Sequence, residues 1–378
     1  MSWDITGIGA VACVGDNPYD IFDALCAGHS GLAPLRAFDP SKYRAWGAYE
    51  IDDRAVLGRD EPGRATRWLR VAVEQALADA GLDGASEIFP VLVGSMQREL
   101  RSAELWWRDN VPFELADLHF NATLHGEFGT TYGYTIASAC AASLCALAMA
   151  TDLIELELAE TVVVAGTDSI TESAFGGMDR IQNPTPKEVR PFDKARRGML
   201  MGEGAVAVVL RRPDTHRGLA YAKVRGVSMN CDGLHPTAPD ASSIARAIRE
   251  AHQRGGVDAE DIDLVVAHGS GTQQNDAAEA FALVDVFARV APPPLVTAIK
   301  CATGHTSGGS GLLSLVMAML ALRRGAVPPI LGLTDPIEEI GNLRLVCGRP
   351  MVAEMATAQI NAFGMGGINA VAVVEKVA

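Results

Sequence analysis

The sequence is poor in positive charge. Its 378 residues include 32 Lys and Arg against 46 Asp and Glu, which gives a net charge of −14. No run of basic residues offsets this excess, so a phosphate backbone would be repelled, and we expect no nucleic-acid partner. Hydrophobic residues make up 48% of the chain, a share that excludes the charge-rich disordered class of protein.

The chain also lacks the segments that export proteins or anchor them in membranes. Its first residues carry Asp4 where a secretory signal needs basic residues, and no cleavage site follows an apolar run. Two long uncharged windows, 128–151 and 304–322, are rich in Gly, Ser and Thr, which is typical of buried core helices rather than bilayer spans. We therefore expect a cytoplasmic protein with no membrane span.

Cysteine is present, but not at the spacing of a disulfide framework or a zinc site. The cysteines are odd in number and contain no CxxC pair: Cys13, Cys26, Cys140, Cys145, Cys231, Cys301 and Cys347. This pattern favours a reducing compartment and predicts no structural metal.

The sequence contains an internal repeat. Segments 72–95 and 247–270 share Ala, Ala, Gly, Asp, Gly and Ser at matching positions, and the pentapeptide AVAVV occurs at 205–209 and again at 370–374. In the longer repeat a helical pattern ends at a glycine suited to a left-handed cap, and an apolar strand follows. We predict an α/β fold of two duplicated halves, with sheets covered by helices on both faces. The halves are assigned to residues 1–210 and 211–378.

Cys140 is the residue best placed for covalent chemistry. It lies where a short strand from Tyr134 passes directly into an Ala- and Leu-rich helix, so we expect it at a helix N-terminus. Free amide groups and the helix dipole favour a thiolate there and would lower the pKa of the thiol. The other six cysteines are interpreted as small buried side chains.

Two histidines lie in glycine-rich turns. His268 follows the apolar strand 264–267 in the segment HGSGT, whose glycines allow close approach to a ligand. His305 lies in the segment KCATGHTSGGSG, which leads into an apolar helix. Each histidine alone could be structural, and a His/His/Cys metal set is an alternative. A third glycine-rich segment, NAFGMGGIN at 361–369, precedes the last strand.

Together these motifs resemble the β-ketoacyl-acyl carrier protein synthases, the elongating condensing enzymes of the thiolase-like fold. The similarity spans nearly the whole chain and is carried by ITGIGAV at 5–11, the Cys140 turn, RPFD at 190–193, HGSGT at 268–272, the Lys300 to His305 segment and NAFGMGG at 361–367. The resemblance implies a layered α-β-α-β-α structure, and the family's fold is itself a duplicated α/β unit. Departures from the usual motifs indicate a type II polyketide or other secondary-metabolite pathway.

The resemblance implies a decarboxylative Claisen condensation. Cys140 would accept the acyl group, and His268 and His305 would donate hydrogen bonds to the thioester oxygen of malonyl-acyl carrier protein as its enolate forms. Lys300, held by Glu279, would support His305. No cofactor is implied, because the substrates are carried on the phosphopantetheine arm of acyl carrier protein.

The same resemblance assigns further residues. The oxyanion hole would be formed by the backbone amides of Cys140 and Met365. The pantetheine arm would be bound by three hydroxyl side chains, those of Thr237, Ser270 and Thr272. Three side chains would gate the cavity, and two of them replace the phenylalanine of many relatives with methionine: Met199, Phe363 and Met365.

Acyl carrier proteins are acidic, so an acidic enzyme needs a local positive patch to bind one. The candidate patch consists of Arg59, Arg64 and Arg67, with Lys42 and Arg44 upstream. Surface arginines without a special role are the alternative. We expect a homodimer, or a heterodimer with a chain-length-factor-like subunit.

Two other functions fit the same fold. A non-condensing, chain-length-factor-like subunit would shape a cavity without chemistry, but such subunits usually lose the cysteine that this chain keeps. A thiolase or CoA-dependent synthase would carry a second catalytic cysteine, and only Cys301 and Cys347 lie near the late motifs. An active ketosynthase is therefore the main prediction.

Overall fold

The computed structural model describes residues 2–55, 60–82, 89–216 and 218–377. The helices of this part are α1 (Pro18–Cys26), α2 (Arg64–Asp79), α3 (Leu100–Asp109), α4 (Asn121–Phe128), α5 (Ala142–Glu155), α6 (Glu172–Ile181), α7 (Ala241–Gly255), α8 (Gln273–Val286), α9 (Lys300–Thr303) and α10 (Ser310–Arg324). The strands are β1 (Trp3–Ala12), β2 (Ala33–Pro34), β3 (Gly47–Ala48), β4 (Val91–Gly94), β5 (Gly133–Ile136), β6 (Thr161–Asp168), β7 (Gly204–Arg211), β8 (Ala222–Cys231), β9 (Leu264–Val266), β10 (Leu295–Thr297), β11 (Ala326–Val327), β12 (Arg344–Leu345), β13 (Met351–Val352), β14 (Thr357–Gly364) and β15 (Ile368–Lys376).

Eleven of these strands form one sheet whose two halves repeat the same topology. The strand order is β12-β10-β9-β14-β15-β8-β1-β7-β6-β4-β5. In one half β5, β4 and β6 are parallel and β7 and β1 follow antiparallel. In the other half β10, β9 and β14 are parallel and β15 and β8 follow antiparallel. The halves join where residues 3–5 pair with residues 222–224. The predicted border at residue 210 lies near the end of β7 and stays a prediction.

Alternating side chains give each central strand two buried faces, as the continuous apolar runs predict. In β7 the even-numbered residues of 206–210 pack with α5 and α10, whereas the odd-numbered residues of 205–209 pack with α2. In β15 the even-numbered residues of 370–374 face the same central helices, and residues 371 and 373 face α7 and α8. The two halves of the sheet therefore form two β layers, with α2 outside one, α5 and α10 between them, and α7 and α8 outside the other. The predicted α-β-α-β-α fold is confirmed.

The repeated segments of the sequence occupy equivalent places in the two halves. The longer repeat corresponds to α2 followed by β4 and to α7 followed by β9, and the AVAVV copies lie in β7 and β15. Glycines with left-handed φ follow both repeated helices, Gly81 at 65° and Gly256 at 59°. The glycine caps that the sequence predicts are thus present in both halves.

The two uncharged windows contain most of the central helices α5 and α10. No helix among the described residues is long and apolar enough to cross a membrane. Each central helix is preceded by a 3₁₀ turn with a non-glycine residue in the left-handed region: Ala139 and Ser307 both have a φ of 48°. Such strained residues cluster at functional sites because the surrounding structure must hold them in place.

Hydrogen bonds join these two helix starts directly. The Ser310 hydroxyl donates to the carbonyl of Cys140 at 3.4 Å, and the Leu312 N–H donates to the Ser143 hydroxyl at 3.1 Å. The start of each central helix is therefore held by the central helix of the other half.

Candidate active site

The thiol and both imidazoles of the sequence motifs line one cavity of about 500 Å³. Cys140 lies in the 3₁₀ turn before α5, His268 follows β9, and His305 lies between α9 and α10. The ring centroids of His268 and His305 are 5.3 Å apart, with an angle of 71° between the ring planes. Three turns that are distant in sequence thus bring a thiol and two imidazoles to the same cavity.

Main-chain N–H groups fix the protonation of both imidazoles. The N–H of Phe363 donates to His268 Nδ1 at 3.2 Å, and the N–H of Ser307 donates to His305 Nδ1 at 3.1 Å. An Nδ1 atom that accepts a hydrogen bond carries no proton, so each neutral ring has its proton on Nε2. Burial lowers the pKa of both rings well below the usual value, and the charge of Lys300 lowers it further. Both side chains are therefore neutral Nε2–H donors.

Lys300 and Glu279 hold the main chain of His268 from two sides. The Lys300 ammonium donates to the His268 carbonyl at 2.5 Å. The Glu279 carboxylate accepts from the N–H groups of His268 at 2.8 Å and Gly269 at 2.9 Å. Burial lowers the pKa of Lys300 and raises that of Glu279, while the Glu279 charge favours the charged form of Lys300. The ammonium binds the peptide of His268, and its charge also acts on His305, so the expected support of His305 by Lys300 stays a prediction.

Burial of the Cys140 thiol raises its pKa to about 11, whereas the sequence predicts a lowered pKa. The amide N–H groups of Met365 and Cys140 and the charge of Lys300 lower the pKa, but burial outweighs them. The prediction considered only the amide groups and the helix dipole, whereas Cys140 is only 5% exposed. The thiol is therefore protonated at neutral pH. The two amides predicted as the oxyanion hole both lie beside the sulfur.

The residues predicted to bind the pantetheine arm line the same cavity. The hydroxyl oxygens of Ser270 and Thr272 are 3.0 Å apart, and Thr272 Oγ1 accepts the N–H of Asn275 at the start of α8. Thr237 is exposed, and its N–H donates to His235 Nδ1 at 3.1 Å. These three hydroxyls form a polar section of the cavity wall.

The three predicted gating residues also line the cavity. The main chain of Met199 is held by Gln182, whose side chain accepts from the Met199 N–H at 2.7 Å and donates to its carbonyl at 3.0 Å. Phe363 is buried with its ring 5.6 Å from the ring of His268, whereas Met365 is partly exposed. The methionines thus lie nearer the solvent than the phenylalanine.

Asp168 is a buried carboxylate of this site that sequence analysis missed. It ends β6 and accepts four hydrogen bonds of 2.6–3.0 Å, from the Ser95 hydroxyl and from the N–H groups of Met96, Gln97 and Gly308. Burial raises the pKa of Asp168 to about 6, and its charge raises the pKa of Cys140. The sequence feature that could have indicated Asp168 is an acidic residue at the end of an apolar strand.

The prediction of a docking role for Arg64 is wrong. Arg64 is 1% exposed, and its guanidinium binds three carboxylates at 2.9 Å, those of Asp53, Asp60 and Glu203. The prediction treated Arg64 as a surface residue, but the nearby Asp53 and Asp60 and the distant Glu203 surround its guanidinium. Arg64 is therefore an internal ion-pair residue that a carrier protein does not reach.

Three other proposed docking cations are partly exposed and form ion pairs. Arg67 forms an ion pair with Asp53 at 3.1 Å. Lys42 lies 3.4 Å from Glu172, and Arg44 lies 3.5 Å from Asp179. Arg59 lies outside the described residues. A docking role for these four residues stays a prediction.

All seven cysteines lie in the described part of the chain, and they are free thiols. In the same part, no group of three or more His, Cys, Asp and Glu side chains is arranged to hold a metal ion.

Comparison with known families gives two matches. A model described as "Beta-ketoacyl synthase, N-terminal domain" matches residues 4–216, and one described as "Beta-ketoacyl synthase, C-terminal domain" matches residues 221–334. The 3-oxoacyl-[acyl-carrier-protein] synthase 2 of Synechocystis is 30% identical over 98% of this chain and 97% of that protein. The oxytetracycline polyketide putative beta-ketoacyl synthase 1 of Streptomyces rimosus is 29% identical over 98% of this chain and 96% of that protein.

Solved structures show the same architecture. The ishigamide ketosynthase/chain length factor superposes with a TM-score of 0.90 and 29% identity, covering 100% of this chain and 99% of that one. A beta-ketoacyl synthase from Burkholderia phymatum superposes with a TM-score of 0.85 and 25% identity, with the same coverage. These similarities confirm the fold class expected from the motifs.

Proposed function

The chain belongs to the β-ketoacyl synthase family of condensing acyltransferases, and on this premise we propose a role for each residue of its cavity. Cys140 attacks the thioester of an acyl carrier protein, the carrier thiol leaves, and the acyl group stays on the cysteine. Malonyl-acyl carrier protein then loses CO₂, and its enolate carbon attacks the acyl-Cys140 carbonyl. The β-ketoacyl product leaves on the carrier, and the released thiolate takes up a proton to restore the Cys140 thiol.

The observation that carries this proposal is the tautomer of the two imidazoles. Two neutral Nε2–H donors beside a thiol suit an enolate oxygen, because that oxygen gains negative charge as CO₂ departs. The Nδ1 atoms of His268 and His305 are occupied by main-chain N–H groups, so neither ring has a free lone pair to act as a base. The thiol proton is therefore assigned to the departing carrier thiol, which balances the acyl transfer.

The remaining residues of the cavity are assigned from their positions. The amides of Cys140 and Met365 beside the sulfur are proposed to bind the oxyanion of the acyl-transfer step. The hydroxyls of Thr237, Ser270 and Thr272 are proposed to bind the pantetheine arm. Met199, Phe363 and Met365 are proposed as the gate, and Lys300 and Glu279 as the pair that fixes His268.

Acyl carrier protein is the proposed partner, in a homodimer or in a heterodimer with a chain-length-factor-like subunit. Relatives named as acyl-carrier-protein synthases and a superposed ketosynthase/chain length factor support this assignment. Fatty-acid-type or polyketide-type secondary metabolism is the proposed context. The seven free thiols support a cytoplasmic location, because such thiols persist in a reducing compartment.

The alternatives have less support. A non-condensing subunit has no use for a thiol and two oriented imidazoles. A thiolase would place a second cysteine in the cavity, but the Cys301 sulfur accepts the N–H of Leu331 at 3.1 Å and donates toward the Ala298 carbonyl. Burial also raises the pKa of Cys301 to about 12.

The test is acylation followed by intact mass measurement. The purified protein is mixed with acyl carrier proteins that bear acyl groups of increasing length, and malonyl-acyl carrier protein is added in a second step. We expect a Cys140-dependent acyl adduct that malonyl-acyl carrier protein converts into β-ketoacyl product. Cys140→Ala should give no adduct, and Cys145→Ala, in the helix that follows the Cys140 turn, should behave as the wild type. No adduct with any chain length, or an adduct that persists in Cys140→Ala, would contradict the proposal.

A further inference from the structure

A chain of buried polar side chains leads from the catalytic site into the outer layer of the C-terminal half. Asn361 Nδ2 donates to Glu279 Oε1 at 2.9 Å, and Gln359 Nε2 donates to Asn361 Oδ1 at 2.8 Å. His252 Nε2 lies 2.8 Å from Gln359 Oε1. Every member is at least 95% buried, so no bulk water competes for these bonds. The chain ends at His252, three residues before the end of α7.

The direction of each hydrogen bond follows from the Glu279 end. An ionised carboxylate only accepts, so Asn361 must present its amide nitrogen to Glu279 and its oxygen to Gln359. Gln359 must then present its nitrogen to Asn361 and its oxygen to His252. The last oxygen needs a donor, and His252 supplies it from Nε2. The histidine is therefore the donor that completes the series.

Strand β14 carries this series on one face. Gln359, Asn361 and Phe363 alternate along the strand, so their side chains lie on the same side of the sheet. That side faces α7 and α8, because Phe363 packs in the hydrophobic cluster that these helices form. The N–H of Phe363 binds the ring of His268, and Asn361 binds the carboxylate that holds the His268 main chain. The strand thus connects His252 to His268.

We propose that His252 is a positioning residue for the catalytic imidazole of His268. Its N–H keeps the amides of Gln359 and Asn361 in the orientation that presents nitrogen to Glu279. Without this donor both amides are free to reverse, and the Asn361 oxygen would then face the carboxylate. Glu279 would leave its place against the N–H groups of His268 and Gly269. The inference rests on the proposed condensation, in which His268 stabilises the enolate.

The charged groups around these side chains are consistent with a neutral His252. Lys300 and Asp276 face Glu279. Arg249, Asp258 and Asp261 face His252, whose pKa is lowered by burial. His252 is therefore neutral at neutral pH and donates as an uncharged ring.

The test separates the two half-reactions. Acylation of Cys140 does not require the Nε2–H of His268, whereas decarboxylation and condensation do. His252→Leu removes the donor to the Gln359 oxygen, so that the Asn361 amide can reverse and stop donating to the Glu279 carboxylate. The loss of that hydrogen bond to a charged group should reduce condensation on the order of tenfold, with acylation unchanged. His252→Gln keeps an N–H donor and should restore most of the condensation rate. Phe287→Leu removes the ring that lies 6.1 Å from the ring of His252 but keeps the His252–Gln359 hydrogen bond. This variant should not reduce condensation relative to acylation.

Equal losses of acylation and condensation in His252→Leu, or no loss, would overturn the proposal. The wild-type protein tests the proposed condensation separately: if it is acylated but does not condense, the proposed function is wrong. In that case urea unfolding still tests whether the hydrogen-bonded side chains from Glu279 to His252 are coupled. Gln359 links His252 to Asn361, so His252→Leu and Asn361→Ala should have non-additive effects on the unfolding free energy. Additive effects would overturn the inference.

Discussion

The guanidinium of Arg64 and the carboxylate of Glu203 form a two-pronged ion pair, with both nitrogen–oxygen distances at 2.9 Å. The residue before Glu203 binds the catalytic turn, since Gly202 donates its N–H to the His305 carbonyl at 3.0 Å. The N–H of His305 in turn donates to the Leu200 carbonyl at 2.9 Å. The buried ion pair therefore fixes the segment that holds His305.

Arg64→Ala should destabilise the protein by about 3–5 kcal/mol, the usual cost of leaving a buried charge unpaired. In this variant the buried carboxylates of Glu203 and Asp60 lose their ion pairs with Arg64. Urea unfolding measures the loss. Arg67→Ala is the matched control on the same helix, and because Arg67 is 40% exposed we expect a change of about 1 kcal/mol or less. Equal losses in the two variants would contradict the assignment of Arg64 to the interior.

The raised pKa of Cys140 predicts a steep pH dependence of its alkylation. With a pKa of about 11, the thiolate fraction, and with it the rate of reaction with iodoacetamide, should rise about tenfold per pH unit from neutral pH until the pKa is approached. Lys300→Met should slow the reaction, because the lost charge favoured the thiolate. Site-resolved mass spectrometry separates Cys140 from the exposed Cys231 and Cys347. A rate at Cys140 that is already constant around neutral pH would show that the thiolate is present there.

His268→Ala and His305→Ala should separate acylation from condensation. Each variant removes one Nε2–H donor from the enolate, and a lost donor of this kind costs about 10²–10³ in rate. Malonyl decarboxylation, followed as CO₂ release, should fall by that factor. Formation of acyl-Cys140, followed by intact mass, should continue. Full decarboxylation in both variants would rule out the two-donor arrangement.

Asp168→Asn should loosen the turns on either side of the thiol. The amide nitrogen would face an N–H of Met96 or Gly308 where the carboxylate now accepts, and each unsatisfied buried group costs about 1–3 kcal/mol. The pKa of Asp168 is raised to about 6, so its ionisation costs stability as the pH rises from about 4 to 6. Asp168→Asn has no carboxyl group to ionise, so its unfolding free energy does not fall for this reason. The difference in unfolding free energy between wild type and variant should therefore shrink from about pH 4 to 6. Urea unfolding at several pH values measures the difference, and a gap that widens would contradict it.

Local patterns in the sequence were sufficient to predict the position of Cys140 before a helix and the duplicated topology. A strand that runs into an Ala-rich helix placed Cys140 in its turn, and repeated glycines after α2 and α7 revealed the two halves. The tertiary environment was not visible in such patterns. Arg64 and Glu203 are 139 positions apart, so neither segment alone indicates a buried ion pair. The thiol pKa was predicted in the wrong direction because the layers that cover Cys140 come from both halves.

The hydrogen bonds between the starts of α5 and α10 have a consequence for the evolution of new activity. The turn that carries the thiol belongs to one half, the turns that carry the imidazoles belong to the other, and Ser310 joins the two at the Cys140 carbonyl. Substitutions along this helix pair therefore alter the distance between thiol and imidazoles without touching a substrate atom. A random library selected for altered turnover should yield variants in the middle layer as well as in the cavity wall.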